Sequence, residues 1–191
     1  VRLEAQIDAS LVDGRLALTG SGPHTYRAVS NWMEWPGGQP IGSTHGQVAL
    51  DSEGLVYIAT DTEKSIYVYQ PDGSLLRTIA GEFPRMHDLV IRQEEDGEFL
   101  YGAHLGGAQA IKMDLEGHVV WKLGYPEAAG IYQNAGEYRP TGITVAPNGD
   151  IYVAGGYGKS VIHHYGADLK YKATYGRRGQ GLGEFTTCHN I

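Results

Sequence analysis

The strongest candidates for metal binding or catalysis in this sequence are histidines that recur at similar positions. Of the eight histidines in the chain, His45, His87 and His189 each stand at the start of a repeated segment. Imidazole is the side chain that commonly ligates transition metals and exchanges protons near neutral pH. Other catalytic patterns are missing, since the sequence has no P-loop, no GxGxxG after a strand, no cysteine cluster and no GxSxG. The chemistry therefore depends on the elements that place these histidines.

An internal repeat predicts what those elements are. Three segments align, at residues 45–80, 87–124 and 141–176, and a fourth starts at His189. Each contains a short apolar run, a turn with glycine, a second run, a loop and two further short runs. Four short strands joined by tight turns are typical of a propeller blade, and the spacing fits the roughly 40–50 residues of known blade repeats. We predict an all-β fold, a β-propeller of four-stranded antiparallel blades; an open sandwich of similar strands is the alternative.

The predicted organisation has three parts. Residues 1–30 hold N-terminal strands, which could belong to a closing blade, and residues 31–44 form a linker. Residues 45–191 form the blades, with bounds at 45–84, 85–138, 139–186 and the start of another at 187–191. Within the first part we expect a hairpin of residues 3–11 and 15–19 and a strand at 26–30. About three blades do not close a ring, so we expect a piece of a longer propeller.

Six apolar residues of the predicted strands are expected to be buried between blades. They are Leu50, Ile58, Val90, Ile143, Val145 and Val153.

Net charge and residue composition limit the kinds of partner and cellular location that the sequence allows. A net charge of −7 argues against nucleic acid and against anionic membrane surfaces. No apolar stretch approaches the roughly 18 residues of a membrane span. Cys188 is the single cysteine, so an intrachain disulfide is excluded. The chain begins with Val1, so a removed leader and a secreted or periplasmic location stay open, as does the oligomeric state.

Three stretches go beyond a generic repeat. They are RPTGITVAPNGDIYV at residues 139–153, GYGKS at 156–160, and GQGLGEF at 179–185 followed by CHNI at 188–191. Together they resemble the NHL-repeat propeller of peptidyl-α-hydroxyglycine α-amidating lyase and its bacterial relatives, from about Tyr26 to Ile191. The resemblance implies a six-bladed ring when complete.

The resemblance also implies a metal centre. In that family, histidines from alternate blades hold a catalytic zinc in the central channel, and His87 and His189 match two of these positions. A third ligand would lie two blades later, beyond Ile191. Neutral imidazoles with an open position are typical of catalytic zinc, whereas the alternative is that both histidines cap inner strands. His45 opens the blade adjacent to that of His87, so we expect it to line the channel at most.

Further site residues follow from the resemblance. A structural calcium would be held by the backbone carbonyls of Val48 and Leu89, a ligand type that suits Ca²⁺. Tyr157 matches the catalytic base, which takes the hydroxyl proton of a C-terminal α-hydroxyglycine while zinc polarises that hydroxyl. Thr60 stands where the family has an arginine that activates the tyrosine, and Lys159 on the Tyr157 loop could replace part of the missing charge.

Two functions therefore stay open. One is a zinc-dependent, lyase-like enzyme that acts at the central channel on peptidyl-α-hydroxyglycine or a related small substrate. The other is a non-catalytic NHL propeller that binds a protein or peptide partner on one rim. His104, His163 and His164 are expected to be solvated or to lie in turns, without a role in either function.

Overall fold

The computed structural model of the chain describes residues 18–29, 31–45 and 47–191. The strands, in chain order, are β1 (Leu18–Ser21), β2 (His24–Arg27), β3 (Val48–Leu50), β4 (Val56–Ala59), β5 (Ile66–Tyr69), β6 (Leu75–Ile79), β7 (Met86–Glu94), β8 (Gly97–His104), β9 (Gln109–Asp114), β10 (Val119–Leu123), β11 (Gly142–Val145), β12 (Ile151–Ala154), β13 (Ile162–Tyr165) and β14 (Tyr171–Tyr175). Short 3-10 turns lie at Pro36–Gly38, Glu127–Ala129 and Ala135–Glu137. Within the described residues no helix has the length and apolar character to cross a membrane.

The strands form three four-stranded antiparallel sheets and one hairpin. The sheets are β3–β6, β7–β10 and β11–β14, called blades 1, 2 and 3 below, and each runs through its strands in chain order. The pairing of the last two strands shifts register once in every blade, between Val68 and Tyr69, Val119 and Trp121, and His164 and Tyr165. The predicted all-β fold with four-stranded blades is therefore confirmed.

Two apolar cores lie between the blades. Tyr57, Ile66 and Met86 belong to the core shared by blades 1 and 2, and Tyr101 and Val153 belong to the core shared by blades 2 and 3. These side chains come from strands in which alternate residues point to opposite faces of a sheet. Blade 2 is thus covered on both faces, and burial of its apolar surface holds the three sheets side by side.

The segment that precedes blade 1 covers the outer face of that blade. Trp32, Met33 and Ile41 pack against a cluster that includes Tyr69, and the indole of Trp32 donates a hydrogen bond to the carbonyl of Pro71 over 3.0 Å. Gly73 makes this contact possible, because a Cβ there would lie 1.6 Å from the Trp32 carbonyl oxygen. The residues expected to form a linker packed over one face therefore cap blade 1.

One burial expectation is wrong, and the geometry of the strand explains it. Leu50 is 63% exposed, because Ala49 of β3 packs against the core between blades 1 and 2 while Leu50 points to the opposite side. The expected burial of Ile58, Ile143 and Val153 is confirmed. Val90 and Val145 are half-buried beside the second core.

The N-terminal region differs from the sequence expectation. Near the expected strand at 26–30, the structure has β2 at His24–Arg27, which pairs with β1 in a hairpin. The expected strand at 3–11 and most of that at 15–19 lie outside the described residues.

Candidate functional site

Three imidazoles meet where successive sheets begin. His45 lies just before β3, His87 is the second residue of β7, and His189 follows blade 3. The rings of His45 and His87 stack with centroids 4.0 Å apart, and the ring centroids of His87 and His189 are 4.7 Å apart. One nitrogen from each ring lies within 4.8 Å of the other two. We call these residues the three-histidine cluster; donors of this kind suit zinc and other transition metals.

The place of His45 differs from the sequence expectation. His87 and His189 come together as expected, but His45 joins them fully instead of only lining the channel. At the corresponding position blade 3 has Thr141, whose hydroxyl turns away to donate to the carbonyls of Ala154 and Cys188. The short side chain of Thr141 does not enter the cluster. Histidines of adjacent repeats, His45 and His87, therefore meet there, as do those of alternate repeats, His87 and His189.

His87 offers a free nitrogen inside the protein. Its Nδ1 lies 2.8 Å from the carbonyl oxygen of Thr141, which can only accept, so the proton is on Nδ1 and Nε2 keeps its lone pair. Nε2 is buried and has no hydrogen-bond partner among the described residues. Burial, and then the neighbouring imidazole of His45, lower the pKa of His87 from 6.5 to about 4. His87 is therefore neutral at pH 7, which is the form that ligates a metal.

His45 is oriented by a carboxylate. Its Nε2 lies 2.7 Å from Oδ2 of Asp61, in the loop between β4 and β5. The backbone N–H of Asp61 donates to the carbonyl of Ser43, which ties this loop to the segment before His45. A carboxylate on one ring nitrogen fixes the tautomer and leaves the other nitrogen for a metal, an arrangement common in metalloproteins.

Tyr157 and His189 share a hydrogen bond at the edge of the cluster. The hydroxyl of Tyr157 lies 2.8 Å from Nε2 of His189, and Oδ1 of Asn190 lies 3.3 Å from Nδ1 of the same ring. When the ring proton of His189 is on Nδ1, its Nε2 accepts a hydrogen bond from the Tyr157 hydroxyl. The ring of Tyr157 also meets that of His87 edge-on, with centroids 5.1 Å apart. The structure thus places the expected base beside both expected ligands.

Two equivalent serines hold the segments that carry His87 and His189. The hydroxyl of Ser65 donates to the carbonyl of Phe83 over 2.8 Å, and that of Ser160 donates to the carbonyl of Thr186 over 3.1 Å. Each serine is fully buried and precedes the third strand of its blade with a positive φ, 61° and 57° respectively. The same loop of blades 1 and 3 therefore fixes the start of the next repeat.

Two glycines let the backbone of His189 approach blade 3. A Cβ on Gly156 would lie 2.3 Å from the carbonyl oxygen of Cys188, and a Cβ on Gly142 would lie 2.9 Å from that of His189. The N–H of Gly156 also donates to the hydroxyl of Thr141 over 3.1 Å. A side chain at either glycine would push His189 away from the cluster.

Neither Thr60, which stands in place of the family's arginine, nor Lys159, which could replace part of its charge, contacts the Tyr157 hydroxyl. Thr60 is fully buried, and its hydroxyl lies 2.7 Å from the hydroxyl of Thr62 within the same loop. Lys159 forms an ion pair with Glu137 over 2.9 Å. Neither contact directs a positive charge to the Tyr157 hydroxyl.

The positions expected to bind calcium lie on the inner strands. Val48 in β3 and Leu89 in β7 line one cavity of about 250 Å³, together with Asp88. Both carboxylate oxygens of Asp88 accept backbone N–H groups, from Leu89 and Ile143. Burial raises the pKa of Asp88 to about 6, because the loss of hydration outweighs the two backbone hydrogen bonds that the carboxylate accepts.

The other histidines are less solvated than the sequence suggested. His104 and His163 are both buried, at 5% and 0% exposure. His163 bonds the hydroxyls of Tyr132 and Thr174, over 2.7 and 2.8 Å. They sit in β8 and β13, where their ring nitrogens satisfy neighbouring polar groups.

Sequence reasoning missed Asp61 and undervalued His45. Asp61 is the second residue after β4, in the loop that is equivalent to the Tyr157 loop of blade 3. That equivalence was the available signal, because residues in matching loops of different blades face the same rim.

No family model matches the chain, and no curated protein matches it. Solved structures do resemble it. A protein of unknown function from Bacteroides caccae has a TM-score of 0.54 at 12% identity, covering 85% of this chain and 64% of that one. Apo AztD from Citrobacter koseri has a TM-score of 0.50 at 20% identity, covering 83% of this chain and 41% of that one.

A catalytically inactive virginiamycin B lyase from Staphylococcus aureus, with quinupristin, has a TM-score of 0.49 at 19% identity over 71% of this chain and 42% of that one. The chain thus spans less than two-thirds of the length of each of these structures. At such identities the likeness concerns the fold alone. Together with the three four-stranded sheets, it shows that the chain has a β-propeller-type fold.

Proposed function

We propose that the three-histidine cluster binds zinc. The observation that carries the proposal is the convergence of three ring nitrogens within 4.8 Å of one another, one of them the buried, unpartnered Nε2 of His87. Zinc–nitrogen bonds of about 2.0–2.1 Å in a tetrahedron would place the nitrogens about 3.3 Å apart. Binding would therefore draw the rings slightly together. Three imidazoles leave one position open for a substrate, as in catalytic zinc sites.

This set replaces the ligand set implied by the family resemblance. There the third histidine belongs to a later blade, whereas here His45, from the blade adjacent to that of His87, supplies the third nitrogen. The Asp61 carboxylate behind His45 supports the proposal, since a second hydrogen-bonded group on a ligating imidazole raises its affinity for metal.

The reaction we propose is cleavage of a peptidyl-α-hydroxyglycine into a peptide amide and glyoxylate. Bound zinc would polarise the substrate hydroxyl. Tyr157, as its phenolate, would take the hydroxyl proton while the carbonyl of glyoxylate forms and the C–N bond breaks, and would pass that proton to the departing amide nitrogen. The hydroxyl of Tyr157 is hydrogen-bonded to Nε2 of His189. If that nitrogen bound zinc, this hydrogen bond would break and the Tyr157 hydroxyl could contact the substrate.

A specific observation favours binding without catalysis as the second candidate. A tyrosine base needs a nearby cation to lose its proton near neutral pH, but Thr60 is buried and neutral and Lys159 is paired with Glu137. In this second case the propeller binds a protein or peptide on the rim without cleaving it.

Metal content and turnover separate the two candidates. Wild type should bind one zinc per chain, and His87→Ala should lose it, while the matched variant His118→Ala, an exposed histidine paired with Asp114, should keep it. Turnover of an α-hydroxyglycine-terminated peptide by the zinc-loaded protein would establish the lyase, and zinc binding without turnover would count against the lyase and favour the second candidate. No zinc on the wild type would overturn the metal proposal.

We propose calcium for the cavity lined by Val48, Leu89 and Asp88. The support is the buried Asp88 carboxylate, whose lost hydration a cation would offset, beside inner-strand backbone. Calcium should raise the melting temperature of the zinc-loaded protein more than magnesium does. Equal responses to both ions would count against the site.

A further inference from the structure

A second cavity adjoins the three-histidine cluster across Tyr157. It is an open surface depression of about 330 Å³, lined by Arg139, Tyr157, Gly158 and Lys159, with Gly136 and Glu137. Tyr157 therefore contacts the cluster through its hydroxyl and this cavity on its exposed side. A substrate that reaches the cluster past Tyr157 would place part of itself in the cavity.

The charges in the cavity leave one cation without a partner. Lys159 is neutralised by Glu137 over 2.9 Å. Arg139 has no hydrogen-bond acceptor and no carboxylate partner among the described residues, and its side chain is exposed. Arg178 adds a second positive charge nearby, where its Nη2 donates to the carbonyl of Gly158 over 3.1 Å. The cavity thus favours an anionic group.

The backbone around Arg139 is held rigidly next to the Tyr157 loop. Tyr138 is fully buried and Pro140 is buried, so the arginine between them projects from a fixed segment. Gly158 packs so closely that a Cβ there would lie 2.5 Å from the Glu137 carbonyl oxygen. The separation between Arg139 and Tyr157 is therefore set by the fold, which is what selective binding of a small group requires.

We propose that Arg139 binds the carboxylate of the substrate and so selects carboxylate-terminated ligands for the site. This inference rests on the proposed function, in which the substrate carries a carboxylate one bond from the reacting carbon. A guanidinium presents its N–H groups as a planar fork that matches a carboxylate with two parallel hydrogen bonds. Arg139 is a specificity residue of this kind, whereas Lys159 is not, because Glu137 occupies its ammonium.

The test measures binding of two probes that cannot react. N-acetyl-phenylalanyl-glycine carries the carboxylate, its C-terminal amide does not, and neither has the α-hydroxyl. Calorimetric titration of the full chain, at low salt, should show a preference for the acid of about twofold to fivefold. Arg139→Gln should abolish the preference, Arg139→Lys should keep part of it, and Arg27→Gln, an exposed arginine on β2, should keep all of it.

The measurement is repeated on the metal-free protein, because zinc itself attracts carboxylates. A preference that persists there and disappears in Arg139→Gln supports the inference even if the protein binds no zinc or shows no turnover. A preference that Arg139→Gln leaves intact, or the absence of any preference in wild type, would overturn it.

Discussion

At the residue scale, the carboxylate of Asp61 sets how well His45 can serve as a ligand. It lies 2.7 Å from Nε2 of His45 and so fixes the orientation of that ring, leaving the other ring nitrogen without this partner. Removing such a partner typically costs about 10–100-fold in metal affinity. Asp61→Asn should weaken zinc binding by about that factor, measured by competition with a chelator. Asp96→Asn, an exposed acid in the β7–β8 turn, is the control, and equal losses in both variants would contradict the role of Asp61.

The arginine that the family resemblance places at Thr60 cannot be restored there. Thr60 is fully buried and its hydroxyl is bonded to Thr62. Thr60→Arg would crowd the loop and bury a charge, so it should lower the free energy of unfolding by about 1–3 kcal/mol without a gain in turnover. Urea denaturation checks this, with Thr60→Ser as the variant that keeps the hydroxyl. Unchanged stability with raised turnover would show that the loop admits the guanidinium.

At the element scale, the loop before the third strand of blades 1 and 3 holds the start of the next repeat in place. Ser160 ties that loop to the carbonyl of Thr186, three residues before His189. Ser160→Ala removes this bond and leaves that carbonyl only the hydroxyl of Thr187 as a donor, so it should cost about 0.5–1.5 kcal/mol of stability and weaken zinc binding. Thermal melting and zinc competition measure the two effects. Ser74→Ala, in an exposed turn, should change neither, and an unaffected zinc affinity in Ser160→Ala would rule out positioning of His189.

The buried histidine of β13 makes the stability of blade 3 sensitive to acid. Burial lowers the pKa of His163 from 6.5 to about 4. The unfolded chain binds this proton first as the pH falls, so its contribution is complete above the unfolded pKa and is lost between about pH 6.5 and 4, at most about 3 kcal/mol.

Urea unfolding across that range should show the loss, and His163→Gln should make it smaller. His24→Gln, which changes an exposed histidine of β2, should leave the pH dependence as it is in wild type. An identical pH dependence in His163→Gln and wild type would remove His163 as the cause.

The sequence predicts the strands of each sheet better than it predicts which side chains of neighbouring sheets come into contact. Turn glycines and short apolar runs recur in each repeat, so local patterns are enough to predict four strands per blade. Leu50 shows the limit, since alternation alone does not tell which face of an inner strand is covered. His45 shows it again: its stacking on His87 depends on how one sheet is rotated against the next, which no local pattern encodes.

At the scale of the whole molecule, the described chain is a row of sheets in which blade 2 separates blades 1 and 3. The cores between sheets join only neighbours, at the interfaces of blades 1 and 2 and of blades 2 and 3. In such a row, stability is approximately a sum of units and nearest-neighbour interfaces, so an outer unit can unfold while the others persist.

The three-histidine cluster is the exception, because it brings together residues from both ends of the row of blades. The ring of His45, ahead of blade 1, lies 6.1 Å in centroid distance from the ring of His189, behind blade 3. A metal ion bound by both imidazoles would link the segment before blade 1 to the segment after blade 3. Unfolding of either outer blade would then break this link as well as the interface with blade 2. Occupancy of the cluster would then govern the cooperativity of unfolding, so that a molecule that melts sheet by sheet becomes one that melts in a single step.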